Sequence, residues 1–189
     1  MSVLAVMEQR GGAWNRMSFE TLAAAQQLAG ELNTTASAAV LGDAVDPLAG
    51  ELASKQLEKV YAVEHPLLKD YTPDAYSIAL RQLIDQVKPV LAIFPHTYQV
   101  RDFMPKLATA LGTVAVSDVV SHRVENGEVV LVRQLFQGKE CRCAVFGAGA
   151  TFRFSASGRI SSRSACGGFG GTRKIRAAAL SGRYPDQTA

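Results

Sequence analysis

The sequence is poor in the groups that announce chemistry. No G-x-G-x-x-G follows its first apolar run and no G-x-x-x-x-G-K-[ST] occurs anywhere, so the usual glycine-rich phosphate cradles are missing. No G-x-S-x-G elbow presents an activated serine. The three cysteines, Cys141, Cys143 and Cys166, are odd in number and confined to the last quarter, which argues against a disulfide framework. Cys141 and Cys143 are separated by a single residue, and no histidine cluster or second cysteine pair completes a zinc set. His65, His96 and His122 are scattered, and nothing in the sequence pairs one with a nucleophile or an acid. No apolar stretch is long enough to span a bilayer. The opening MSVLAVMEQR carries no basic residues ahead of its apolar run, so a secretory leader is not expected, but a cytoplasmic chain that opens with a strand.

What is present divides in two. The 189 residues are 48% hydrophobic, enough for one domain with a sizeable core and a tail. Residues 1–140 hold 12 Lys and Arg against 16 Asp and Glu, whereas residues 141–189 hold 8 against 1. A mildly acidic body is joined to a basic tail, and the two need separate readings.

The body alternates strand and helix signals. Ser2–Met7 is a short apolar run of the kind buried in a parallel sheet. Gly11-Gly12 makes a turn, and Ser18 is expected to cap a helix reaching about Leu32, with Leu22, Ala25, Ala29 and Leu32 on one face. Ala36–Leu41 reads as a strand, residues 47–55 as a short helix, and Lys59–Val63 as a strand. Thr72 and Pro73 open the clearest helix, in which Tyr76, Ala79, Leu80, Leu83, Ile84 and Val87 recur at helical spacing until Lys88-Pro89. Pro89–Phe94 is another strand. The segment His96–Asp102 is expected as a loop, with Asp102 capping a helix over about Phe103–Leu111 that Gly112 closes. Val114–Val116 supplies a fifth strand, and Val119–Val124 and Val129–Val132 flank Asn126-Gly127, a hairpin turn. The pattern predicts an α/β fold: a Rossmann-like, doubly wound parallel sheet of the adenine nucleotide alpha hydrolase-like kind, with an antiparallel hairpin extension.

Candidate site residues are few. The segment His96–Asp102 lies at the end of a strand and opens a helix, where free N–H groups and Arg101 could favour an anion, although every α/β unit has such a connection. Asp70, Asp74, Asp85 and Glu20 read as loop, cap or helix-surface acids. Trp14, Tyr71 and Tyr98 read as packing or loop-anchoring aromatics. No catalytic, cofactor-binding or metal-ligating residue is assigned. The residues alone describe an α/β domain with no self-evident active site.

Four blocks, in order over nearly all of residues 1–139, resemble a known family. VLAVMEQRGGAWNRMSFETLAAAQQLAGEL resembles the opening of electron-transfer flavoprotein alpha subunits, where a strand ending in Glu leads through a Gly-containing turn into an Ala/Leu-rich helix. KVYAVEHPLLKDYTPDAYSIAL resembles the family's strand, His-and-Tyr loop and following helix. VLAIFPHTYQVRDFMPKLATALGTVAVSDVV carries an Asp and a Pro three residues apart, then Ser-Asp-Val, and VVLVRQLFQGK resembles its R-x-(Ile/Leu)-(Tyr/Phe)-x-G strand. Gln99-Val100 departs from a Gly-Lys-like pair common in the family, which weakens an anion-binding role for that segment.

The resemblance implies that residues 1–139 are the alpha-subunit N-terminal domain, largely scaffold and subunit interface. It implies a beta subunit as partner. The heterodimer would carry FAD and move electrons from acyl-CoA or other dehydrogenases to the respiratory chain, as in fatty acid beta-oxidation. The family's FAD contacts come mostly from the alpha subunit's second domain, so none is carried over, and this chain alone is expected to bind no FAD, to act as an electron-carrier subunit rather than an enzyme, and to be a fragment. Two rivals are a stand-alone Rossmann-like adenine-nucleotide-binding protein, which needs a glycine-bearing phosphate loop, and RNA binding through the tail. Gly167-Gly168-Phe169-Gly170-Gly171 with Arg163, Arg173, Lys174 and Arg176 has the composition of an arginine–glycine RNA-binding segment. Blocks of like charge are more often only solvated, so nucleic-acid binding is not expected, and with no bilayer-length apolar stretch neither is membrane insertion.

Residues 140–189 lose helical periodicity and are dominated by Gly, Ala, Ser and Arg, a composition expected to be disordered. Codons can be chosen for Glu140–Phe146 that, read one base later, spell Asn-Ala-Asp-Val-Arg-Phe, the kind of strand with which the family continues after Gly-Lys. The tail is therefore read as out of frame, with the flavin domain lost by a frameshift near Lys139 and the ribbon's outer edge left unpaired. Sequencing the locus tests this: the expected outcome is an intact alternate frame beyond the Lys139 codon encoding a flavin-binding domain, and no such frame contradicts it.

Overall fold

The computed structural model describes residues 2–125, 127–135, 139–145, 152–156 and 171–176, with side chains as far as Arg133. Strand β1, Ser2–Met7, is buried along its whole length. Its alternation sends Val3, Ala5 and Met7 into one core and Leu4 and Val6 into another, as a strand covered on both faces requires. Gly11 and Gly12, at φ 58° and 79°, turn a small hairpin of β2 (Gln9–Arg10) and β3 (Ala13–Trp14). Then come helix α1 (Arg16–Glu31), β4 (Thr35–Gly42), α2 (Asp46–Ala53), β5 (Lys59–Glu64), a 3₁₀ turn over Pro66–Leu68, α3 (Pro73–Val87), β6 (Leu91–Pro95) and α4 (Tyr98–Ala110).

These four main strands are parallel, in the order β5–β4–β1–β6. Leu22, Ala25 and Leu28 of α1 and Leu48, Ala49 and Leu52 of α2 fill one core. Tyr76, Leu80 and Leu83 of α3 and Phe103, Met104 and Leu107 of α4 fill the other. Ala36, Ala38 and Ala39 on β4 keep that strand slim where a helix covers each face. The doubly wound α/β sheet predicted from the alternation is the fold observed.

Two helix starts differ from expectation, each by a competing cap. Helix α1 begins at Arg16 because Asn15 is the better placed N-cap, its side chain accepting from the Met17 N–H at 3.0 Å. Ser18 is instead fully buried inside the helix. Helix α4 begins at Tyr98, capped by Thr97, whose hydroxyl accepts from the Val100 N–H at 3.2 Å. Asp102 is thus helical rather than a cap, and Pro105 lies inside the helix instead of in its tolerant first turn.

Beyond α4 the sheet grows by an antiparallel ribbon, β7 (Ala115–Glu125) and β8 (Glu128–Leu135), with Glu125 opposite Glu128 across the expected hairpin. The segments read as two strands, residues 114–116 and 119–124, are one strand here. The break between them is local: Asp118 sits at φ 56° and the register shifts between Val119 and Ser121. The outer edge of β8, expected bare, carries β9 (Lys139–Val145). Strand β10 (Phe152–Ala156) lies parallel between β6 and β7, and β11 (Gly171–Arg176) lies parallel on β5. The rest of the tail expected to be disordered and out of frame lies outside the described residues, as do Asn126, Arg163 and Cys166. No helix among the described residues is long and apolar enough to cross a membrane.

Helix α3 ends on Lys88, held at φ 47° and ψ 56°. That left-handed conformation costs a side-chain-bearing residue about 1–2 kcal/mol. Glycine removes most of that cost but loses more entropy on folding. Lys88→Gly is expected to stabilise the domain by about 0.5 kcal/mol net, read as a higher urea midpoint with an unchanged slope. A lower midpoint contradicts the strain assignment.

Candidate functional site

In a doubly wound sheet, ligands bind outside the carboxyl ends of the strands, where the strand order reverses. Here that point lies between β1 and β6, and Glu8 and Thr97 follow the two strand ends. Glu8 dominates the crevice. One carboxylate oxygen accepts from Asn15 Nδ2 at 2.8 Å, and the other accepts from the Thr97 hydroxyl. Its two partners are the N-caps of α1 and α4. The carboxylate therefore sits between two helix N-termini, where the helix dipoles favour negative charge. Its backbone is held as firmly: the Glu8 N–H donates to Ser18 Oγ at 2.7 Å, and its carbonyl accepts from Ser18 Oγ at 2.9 Å and the Asn15 N–H at 3.0 Å.

The neighbouring residue closes the other side. Gln9 Nε2 donates to the Leu41 carbonyl at 2.9 Å, and Gln9 Oε1 accepts from the Gly12 N–H at 3.0 Å. A Cβ on Gly42 would meet Gln9 Nε2 at 2.7 Å and Val45 Cγ1 at 2.6 Å, so only glycine admits this approach. What remains beside Glu8, against Tyr76, Pro95 and Gln99, is a cavity of about 10 Å³, room for no more than one water. A carboxylate already stands where a phosphate would seek the helix N-termini, and it would repel one. Among the described residues this crevice does not fit the pyrophosphate of a flavin or an adenine nucleotide.

The residues singled out from the sequence fall into separate small groups. Tyr71 donates to Asp102 Oδ2 at 2.7 Å and to the Gln99 carbonyl at 3.2 Å, tying the loop before α3 to α4. Burial, and then the bond to Asp102, push the Tyr71 hydroxyl far above the ordinary tyrosine range. Burial likewise raises Tyr76, with the Glu8 charge adding to it. Arg101 lies 6.0 Å from the ring centroid of Tyr98, which is 88% exposed. His96 Nε2 is 3.5 Å from Asp118, which also accepts from Ser117 Oγ at 2.8 Å. His65 caps the 3₁₀ turn, its Nδ1 accepting from the Leu67 N–H. Trp14 donates to Glu51 at 2.7 Å and packs edge-on against Phe19. Asp74 pairs with Lys106 and Asp85 with Arg81. Asp70 is exposed and Glu20 half-buried. No cluster of three metal-ligating side chains occurs among the described residues. Cys141 and Cys143 lie on β9, and Arg173, Lys174 and Arg176 on β11.

Sequence reasoning missed the Glu8 junction. Asn15 and Thr97 are recognisable cap residues, but Glu8 and Thr97 are 89 residues apart. Only the pairing of β1 with β6 brings them together.

The second feature is a groove of about 460 Å³ between α4 and β7, lined by Val100, Met104, Pro105, Ala108, Ala115 and Val116 among others. Its lining among the described residues is mostly apolar.

Comparison with known proteins decides the family. Residues 3–147 match the model of the electron transfer flavoprotein domain. The chain belongs to the electron transfer flavoprotein family. It is 36% identical over 137 residues to the electron transfer flavoprotein subunit alpha of Bacillus subtilis (strain 168), covering 72% of this chain and 42% of that protein. It is 33% identical over 133 residues to the subunit of the same name from Syntrophomonas wolfei subsp. wolfei, covering 70% and 41%. It is also 33% identical over 111 residues to the acryloyl-CoA reductase electron transfer subunit beta of Anaerotignum propionicum, covering 59% and 30%. The chain thus spans about two fifths of the length of the first two relatives. All three are named as electron transfer proteins, and the resemblance read from the four sequence blocks is the family found.

The Tyr71 contact gives this flavoprotein domain a pH signature. A hydroxyl with a raised pKa holds its proton more tightly in the folded state than in the unfolded one. Its contribution is complete below the unfolded tyrosine pKa of about 10 and is lost as pH rises towards the folded value. Tyr71→Phe is expected to be less stable at neutral pH and to lose stability less steeply above about pH 10. Urea midpoints measured across this range check it, and equal slopes for the two proteins contradict it.

Proposed function

We propose that this chain is the N-terminal scaffold and subunit-interface domain of an electron transfer flavoprotein alpha subunit. In that role residues 1–139 pair with a beta subunit. The complete heterodimer holds FAD and carries electrons from acyl-CoA or other dehydrogenases to the respiratory chain, as in fatty acid beta-oxidation. The chain acts in the cytoplasm as part of a carrier rather than as an enzyme, and the flavin is held outside residues 1–139. The tail from Glu140 onward is an out-of-frame extension of this domain.

The observation that carries the reading is the match of residues 3–147 to the electron transfer flavoprotein domain. Two features support a scaffold role. Glu8 occupies the switch-point crevice itself, so the fold's customary cofactor position serves internal cohesion. The apolar groove between α4 and β7, and the exposed Tyr98 and Val114 (88% and 62%), offer surface for another subunit.

The test is co-expression with a beta subunit encoded at the same locus, together with titration of the purified chain with FAD, AMP and ATP. The expected outcome is co-purification of the two proteins and no saturable nucleotide binding by this chain alone. Tight binding of AMP or ATP without a partner would overturn the reading in favour of a stand-alone nucleotide-binding protein. A salt-sensitive RNA shift that disappears on truncation at Glu140 would assign the function to the basic tail.

A further inference from the structure

Helix α4 carries the chain from β6 to β7, yet the two strands are not neighbours in the sheet. A whole strand fits between them, so they stand roughly 9–10 Å apart, twice the spacing of hydrogen-bonded neighbours. Neither can satisfy the other's N–H and C=O groups across that interval. Every residue of β6 is buried, as are Val116 and Val119 on β7. Backbone groups left open there would be unpaired in the interior.

Side chains outside the tail mark the same interval. His96 follows β6, and its Nε2 lies 3.5 Å from Asp118 on β7. Asp118 also accepts from Ser117 Oγ at 2.8 Å and stands 4.0 Å from Arg133 on β8. These contacts link β6, β7 and β8 at the carboxyl end of the interval, with no backbone ladder between β6 and β7. Residues 152–156 lie in it, parallel to both neighbours. Phe152 to Ala156 stand opposite Leu91 to Pro95 of β6, and Arg153 and Phe154 opposite Ala115 and Val116 of β7. Ala156 then pairs with Val119, so Ser117 and Asp118 together face Ser155 alone. That is the two-against-one count of a bulge, and Asp118 takes the left-handed φ of 56° that permits it.

We propose that the interval between β6 and β7 is a strand-acceptor slot whose occupant is residues 152–156 of this chain's own tail. Strand addition of this kind is held by main-chain hydrogen bonds, so the slot takes a short, extended, proline-free stretch without requiring a particular side chain. F-R-F-S-A meets that condition. A tail read out of frame can therefore still complete the sheet. Filling the slot joins the ribbon of β7, β8 and β9 to the parallel strands, and the folded unit reaches as far as Ala156. The slot stands apart from the electron-transfer role, which concerns residues 1–139.

Two measurements on the full chain test it. Ala92 and Arg153 are register partners. Ala92→Cys combined with Arg153→Cys is expected to give a disulfide on mild oxidation, because residues paired across neighbouring strands lie within reach of one. Ala92→Cys combined with Ser155→Cys, two residues out of register, is expected to give none. Peptide mapping separates these linkages from any to Cys141, Cys143 or Cys166. Hydrogen exchange is the second measurement. Phe154→Pro, which removes an N–H from the middle of the inserted strand, is expected to lower the protection of amides 116–124 and 129–133 on the order of 10-fold, while residues 3–6 of β1 keep theirs. Phe154→Thr, which keeps the N–H, is expected to leave the ribbon protected. No disulfide between positions 92 and 153, equal yields from the two cysteine pairs, or a ribbon unaffected by Phe154→Pro overturns the proposal. A Phe154→Thr chain as unprotected as Phe154→Pro overturns recognition through the main chain. If Phe154→Pro yields no folded chain, the cysteine pairs decide.

Discussion

A carboxylate at the end of the first strand organises this domain. Glu8 leaves β1 where the strand order reverses, and its two oxygens engage the N-caps of α1 and α4. Its backbone is doubly bonded to Ser18 in the first turn of α1. One residue therefore fixes the entry of a helix on each face of the sheet relative to the same strand. The arrangement uses the electrostatics that elsewhere hold a phosphate, because the positive ends of two helices converge on a negative group. Here the group belongs to the protein, and the crevice beside it shrinks to about 10 Å³.

That constraint bears on how a doubly wound sheet can serve as a scaffold. The fold does not prescribe a function; the site grafted on it does. With its switch point closed from within, the domain leaves its outer surfaces as candidates for contact, among the described residues the apolar groove between α4 and β7 and the exposed Tyr98. Both borrow from α4, whose start is set by Thr97, which also contacts Glu8. The internal junction and the candidate interface are thus mechanically connected through one helix.

Much of the fold was legible because its signals are local. Leu80, Leu83 and Ile84 recur at helical spacing behind Pro73, and they are the residues that α3 buries. The run Ser2–Met7 reads as a strand covered on both faces, and every residue of it is buried. The misreadings fall where two local signals compete. Asn15 and Ser18 can each cap α1, and Thr97 and Asp102 can each cap α4. The choice is made by whether the spare hydroxyl or carboxylate has another partner. Ser18 is drawn inward by Glu8, and Asp102 is taken by Tyr71. The register break at Asp118 read as a strand end because periodicity cannot distinguish a bulge from a terminus.

The sequence by itself determined the element types, the α/β alternation and, through four ordered blocks, the family, since each depends on spacing within a few residues or on a recognisable string. Tertiary structure alone decided what those elements do with one another. It joined Glu8 to Thr97 across 89 residues. It also set the side chain of His122 against the end of α1. Such contacts depend on which strands pair and on which face each side chain leaves, and no local pattern encodes a partner that only the closed sheet brings within reach.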